Sequence, residues 1–276
     1  MSVLTVLGVE VDEERLRRWT TYYAPGRQPF RLRGLDAPVR HALEDASLPG
    51  GVEQVSPEHR DTFFLYGGGP WVWLSEDELA GLDGAVRTAL LAERRERVRP
   101  KPVPAWPSDP LLVPAMVRWV ETGSRPSLHL LARDELAAAS HGPLPGAATL
   151  AGTYAEGSGP NCFAAVMAAA GEPVAQEWVQ LDQFRTWLEA STDPLPQAAP
   201  PVAETDRRPG CVLVWHEDGE LAHAAVTIGG GWALHKQSQS WSSPFAVWPV
   251  EEVVRSWLVT GTRLSRHLLR PRPTPS

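Results

Sequence analysis

Residues 209–237 read Pro-Gly-Cys-Val-Leu-Val-Trp-His-Glu-Asp-Gly-Glu-Leu-Ala-His-Ala-Ala-Val-Thr-Ile-Gly-Gly-Gly-Trp-Ala-Leu-His-Lys-Gln. Two turn signals cut this stretch, Glu217-Asp218-Gly219-Glu220 and Gly229-Gly230-Gly231. The pattern predicts strands over 211–216, 221–228 and 232–237, joined by hairpins into an antiparallel meander. Side chains alternate along a strand. His223, Ala225 and Thr227 therefore share one face of the middle strand, and Ala224, Val226 and Ile228 share the other. If Ile228 pairs with Trp232 across the glycines, Ala225 opposes His235, and His235 becomes a diagonal neighbour of His223 on the same face. A two-residue turn would shift the register by one and send His235 to the opposite face.

Upstream, Cys162-Phe-Ala-Ala-Val-Met-Ala-Ala-Ala170 has almost no polar face. A helix apolar all round is a buried helix. Gly159-Pro160-Asn161 starts it and Gly171 ends it. A second helix is expected over 181–190, a Pro-rich loop over 194–209, a helix over 249–257 and a last strand over 263–269. The first half has mixed character. Residues 3–11 read as a strand, 12–23 as a helix capped by Asp12, and 62–66 and 71–74 as strands around Gly67-Gly68-Gly69-Pro70. Ser75 and Glu78 have the spacing of a capping box, opening a helix that runs to about 98. A Pro-rich linker over 99–110, a helix over 111–122, a strand over 127–131 and a helix over 134–140 follow. His141-Gly-Pro-Leu-Pro-Gly146 breaks the pattern. The chain is thus expected to be α+β, with an N-terminal mixed α/β domain over 1–145 and a second domain over 146–276.

The 276 residues suffice for one large domain or two ordinary ones. The net charge of -7 and the lack of a long Lys/Arg run argue against nucleic acid or an anionic membrane as the main partner. No signal peptide or membrane span is read, so a cytoplasmic location is expected. Two cysteines, Cys162 and Cys211, fit a reducing compartment.

Cys162 stands in the first turn of its helix, where unpaired N–H groups favour a thiolate. It is equally readable as a small apolar residue of a packed helix. A cysteine nucleophile needs a base and a group that orients the base. Cys162, His223 and His235 supply those types in that order.

The segment over about 150–270 resembles NlpC/P60 peptidases, a papain-like family. The resemblance rests on Cys162 opening a buried helix, on Pro209-Gly210-Cys211-Val212-Leu213-Val214-Trp215, and on His223-Ala-Ala-Val-Thr-Ile228. Gly229-Gly230-Gly231, Trp232-Ala233-Leu234-His235 and the spacing of 12 between the two histidines complete it. It implies a papain-like fold and a cysteine-dependent hydrolase acting on a peptide or small amide. Cys162 would be nucleophile, His223 base and His235 the orienting group, through a thioester acyl-enzyme. Tyr154 would assist the Cys162 N–H at the oxyanion. An entering amine would turn the same site to amide formation or acyl transfer. Asn161, Gln237 and Trp241 are candidates to line the substrate cleft. The sequence departs from the family at Asn161-Cys162-Phe163-Ala164, where Asp-Cys-Ser-Gly is usual, and at Gly210-Cys211, where Gly-Asp is usual.

These departures keep a catalytically inactive peptide-binding module open. A zinc site on Cys162, His223 and His235 is the third possibility, without CxxC or HExxH spacing to support it. No organic cofactor signature is present, since Gly67-Gly68-Gly69 lacks dinucleotide-loop spacing.

Overall fold

The computed structural model describes residues 4–33, 35–45, 55–67, 70–196 and 202–271. The chain divides into two compact units. The first runs to Arg125 without Leu7–Val9, and the second comprises Leu7–Val9 and everything from Pro126 on. The protein is α+β.

The described chain begins with strands β1 (Leu4–Val6) and β2 (Val9–Val11). The single strand expected over 3–11 is broken because Leu7 and Gly8 take left-handed conformations, φ 50 and 77°. Helix α1 (Glu13–Tyr23) is capped as expected: Asp12 accepts from Arg15 N at 2.7 Å. Strand β3 (Gln28–Arg31) and helix α2 (Ala37–Asp45) follow. Residues 62–66 do not form the expected strand. Ser56 caps a helix there, α3 (Pro57–Phe63), which Phe64 ends in the left-handed region. Capping by Ser56 and proline at the first helical position outweigh the local β-propensity. Strand β4 (Trp71–Leu74) pairs antiparallel with β3. The turn at 67–70 lies partly outside the described residues.

The Ser75–Glu78 capping box is present, with Ser75 N donating to Glu78 Oε2 at 2.7 Å. It opens only a short helix, α4 (Glu76–Ala80). Asp83 then caps a separate α5 (Gly84–Arg97), so the long helix expected from 75 is two. Helix α6 (Leu112–Glu121) closes the unit. Its core gathers Phe30, Leu32, Val72, Leu74, Leu79 and Leu90.

The second unit starts about 20 residues earlier than the expected boundary at 145. The segment after Pro126 is stitched into its sheet and core. Leu128 N donates to Val247 O at 2.8 Å, and Trp248 Nε1 donates to Pro126 O at 3.0 Å. This segment forms no strand over 127–131. It turns into α7 (Arg133–Ser140), whose Leu136 and Ala139 enter the core. Then come α8 (Ala147–Leu150), β5 (Thr153–Tyr154), α9 (Cys162–Ala169), α10 (Leu181–Ser191), β6 (Thr192–Pro194), β7 (Pro209–Glu217), β8 (Glu220–Gly229), β9 (Trp232–Lys236), β10 (Pro244–Pro249), α11 (Val250–Trp257) and β11 (Thr262–Leu269). The predicted meander is β7–β8–β9, and β10 extends it beyond the sequence reading. The sheet has seven strands in the order β5-β10-β9-β8-β7-β11-β6. Helix α9 covers one face, packed on Val212, Val214, Ala224, Val226 and Leu234. Helix α11 covers the other, packed on Leu213, Trp215, Ala225, Ala233, Ala246 and Trp248.

Candidate functional site

Helix α9 is buried along its whole length, as its composition predicts. Asn161 is its N-cap: Oδ1 accepts from Ala164 N at 3.0 Å, and Nδ2 donates to Val179 O at 2.8 Å. Its side chain thus holds the helix start to the 172–180 loop. Two more bonds shape this corner, Gly159 N to Gln239 O at 2.9 Å and Trp241 N to Ser158 Oγ at 3.0 Å. Trp241 is fully buried. It is core and does not line a cleft, contrary to expectation. Gln237 is half-buried just past β9. Tyr154 lies on the edge strand β5, opposite Pro244 of β10, three places from β8 in the sheet.

Cys162 is 9% exposed. Burial pushes its thiol up to about 11. The N–H groups of Ala224, Phe163 and Cys162 itself, and the charge of Lys236, pull the other way without overcoming it. Alternation on β9 puts Lys236 on the face of Leu234, which is the α9 face. Lys236 is fully buried, and its Nζ donates to Ser238 O at 2.6 Å and Ser240 O at 2.9 Å. A thiol whose pKa is raised in this way carries little thiolate at neutral pH.

The histidines do meet. Val226 stands opposite Leu234 and Thr227 opposite Ala233, the register that an Ile228–Trp232 pairing predicts. The glycine turn itself absorbs one residue, so Gly229 faces Trp232 there. His235 Nδ1 and His223 Nε2 lie 3.4 Å apart, with the rings nearly perpendicular.

They meet on the wrong face for the expected dyad. Trp215 is the strand partner of His223, and Val214 is the partner of Ala224. Paired residues share a face, so His223 goes with Trp215 under α11, and Ala224 goes with Val214 under α9. A bulge at Ala222, where Trp215 faces His223 but His216 faces Leu221, sets that phase. His223 stacks on Trp257 of α11, ring centres 3.7 Å apart and planes 8° apart, and His235 packs edge-on against Trp248 at 4.5 Å. Both imidazoles are essentially inaccessible. Burial holds His223 well below its ordinary value, with His235 a lesser cause, and burial alone brings His235 down to about 3. Cys162 lies among the core residues on the other side of β8. The structure therefore joins His223 to His235 and separates both from Cys162.

Cys211 is also buried, on the α11 face. Its thiol is pushed up to about 12 by burial and then by the Asp206 carboxylate. Asp206 and Arg266 form a two-point ion pair there, at 2.8 and 2.9 Å, with side chains 0% and 4% exposed. The sequence reading missed this pair, whose members are 60 positions apart, and it missed Lys236. A lysine in phase with the apolar Leu234 was the available signal for the latter. A cleft of about 290 Å³ opens at the far end of α9, lined by Ala170, Glu172, Trp187, Leu269 and Arg270 among others.

Among the described residues no set of three or more His, Cys, Asp or Glu side chains could hold a metal ion, so the Cys162–His223–His235 zinc set does not assemble. None of their helices is long and apolar enough to cross a membrane. Comparison of the chain with family models, with curated proteins and with solved structures gives no match.

Proposed function

We propose that the second unit is a papain-like module of NlpC/P60 type that binds a peptide or small amide without cleaving it. One observation carries this reading: the thiol and the two histidines lie on opposite faces of the sheet. A Cys–His enzyme needs its base within hydrogen-bond reach of the nucleophile. Here the backbone of β8 lies between them, and the imidazoles are stacked under tryptophan. The cleft at the end of α9 supports a binding role, since Trp187 and Leu269 give it an apolar wall and Glu172 and Arg270 charges of both signs.

Iodoacetamide labelling of the native protein across pH, read by mass spectrometry, tests this. Cys162 and Cys211 should both label slowly and only in the alkaline range, and His223→Ala should change neither profile. An apparent Cys162 pKa below the free-thiol value of about 8.5, lost in His223→Ala, would restore the dyad.

A second reading is cysteine-dependent hydrolysis or amide formation at Cys162 without an imidazole base. The N–H groups of Ala224, Phe163 and Cys162 and the Lys236 charge, each of which pulls the thiol pKa down, favour it. It requires fast labelling of Cys162 that survives His223→Ala and fails in Lys236→Met.

A further inference from the structure

The His223–His235 pair sits in a setting that tolerates it only while both rings are neutral. Three tryptophans enclose it: Trp257 stacked on His223, Trp215 tilted against His223 at 5.5 Å, and Trp248 edge-on to His235. One contact satisfies the pair internally, Nδ1 of His235 to Nε2 of His223. Nε2 of His235 is buried with no hydrogen-bond partner. A proton added here creates a buried cation with an N–H that has no acceptor, among the costlier arrangements in a protein interior.

Compensating charge is lacking on every side. β8 contributes no titratable side chain to this face beyond His223, with Glu220 exposed at its far end. β9 contributes His235, while its Lys236 lies on the α9 face. From β7 come Trp215 and the un-ionised thiol of Cys211, and His216 is turned to Ser265 Oγ at 3.0 Å. From β10 come Ala246 and Trp248. Helix α11 turns Val250, Val253 and Val254 to the sheet, while Glu251 and Arg255 are exposed and Glu252 is half-buried. The Asp206 carboxylate on this face is already engaged by Arg266, by Ala203 N and by the Cys211 thiol. The carbonyl end of α11 is the one favourable field, and such fields are modest.

Trp257 is the cover that can move. It is only partly buried, it ends α11, and the chain beyond it, Leu258 and Val259, is 41% and 57% exposed. We propose that the histidine pair is an acid-sensitive latch: while neutral it holds Trp257 and the end of α11 on the sheet, and protonation releases them. Release admits water, which solvates the new charge and supplies the missing acceptor.

The sign follows from linkage. Both rings titrate at lower pH in the closed form than in the open one, so the latch is at full strength above the open-state value and weakens as pH falls below it. With an ordinary histidine value of about 6.5 in the open form, lowering pH from 6.5 to 5.5 raises the open population about fivefold for one histidine and about thirtyfold for two.

Hydrogen exchange of the full chain, corrected for the intrinsic pH dependence of exchange, reads this directly. Between pH 7.5 and 5.5 protection over 250–261 should fall at least fivefold, while protection in α9 stays constant. The double variant His223→Phe/His235→Leu should show no pH-dependent loss at 250–261. Should that variant not fold, His235→Asn, which removes one titrating ring, should reduce the pH dependence. Equal protection of 250–261 at both pH values in the unaltered protein overturns the latch. So does an unchanged pH response in either folded variant.

Discussion

The two faces of the central sheet are built from the same strands and by different rules. Under α9, small side chains interlock: Ala164, Ala165, Ala168 and Ala169 meet Val212, Val214, Ala224 and Val226. Under α11 the same strands present Trp215, Trp248, two histidines, Cys211 and the Asp206–Arg266 pair. Both faces are buried. Apart from Lys236, the first is stabilised by close-packed hydrocarbon, whose loss on mutation is graded. The second depends more on polar contacts such as Asp206–Arg266 and His223–His235, and loss of a partner is abrupt because the group left behind stays buried. The α11 face should therefore be the more fragile to single substitutions and to pH.

The largest expected effect is at the ion pair. Asp206→Ala removes the carboxylate that neutralises the buried Arg266 guanidinium, and should lower unfolding free energy by about 3–5 kcal/mol. Urea denaturation near neutral pH measures it. Adding Arg266→Leu to that variant should recover much of the loss, since hydrophobic replacement of both partners is often neutral. A single variant within 1 kcal/mol of the parent, on the scale of ordinary surface changes, would make the two faces alike and break the comparison.

A smaller effect is expected at Thr227. Its Oγ1 accepts from Cys211 N at 3.0 Å and donates to Arg208 O, filling the ladder gap where β7 and β8 shift register between Pro209 and Val212. Thr227→Val keeps the shape and removes both bonds. The buried Cys211 N–H then has no acceptor, and the loss should be about 1–3 kcal/mol by the same denaturation. Val226→Thr, on the α9 face, adds a hydroxyl where no polar partner awaits it and serves as the matched opposite.

The sequence disclosed much of this sheet and little of how its faces are used. Strands β7, β8, β9 and β11 and helices α9, α10 and α11 stand within a few residues of their predicted places, because alternation, glycine turns and an all-apolar helix are strong local signals. The His223–His235 contact was legible for the same reason: register follows from hairpin geometry. Which face takes α9 was not read, although a signal existed. A helix with no polar side needs the purely apolar face, which is Ala224-Val226-Ile228 and not the face of His223. Residues 62–66 and 127–131 were misread because a proline-started helix and a long-range bond to Val247 decide them, and short apolar runs do not distinguish helix, strand and loop. Asp206–Arg266 depends on tertiary proximity between a loop and the last strand, which no local pattern carries.

The smallest effect sharpens the comparison from the α9 side. Asn161→Ala removes the cap bond to Ala164 N and the tether to Val179 O. Loss of an asparagine cap costs about 1 kcal/mol, within a range of roughly 0.5–2. Asn161→Asp keeps a cap of similar quality and loses only the donor to Val179 O. The difference between the two variants isolates the cap, and Asp against the parent reports the tether. Neither change touches the α11 face. If the acid response of 250–261 is the same in both variants as in the parent, the two faces are energetically independent, as packing on opposite sides of one sheet implies. If Asn161→Ala shifts that response, strand β8 transmits strain between the thiol side and the histidine side, and the separation seen in the structure is one position of a coupled pair.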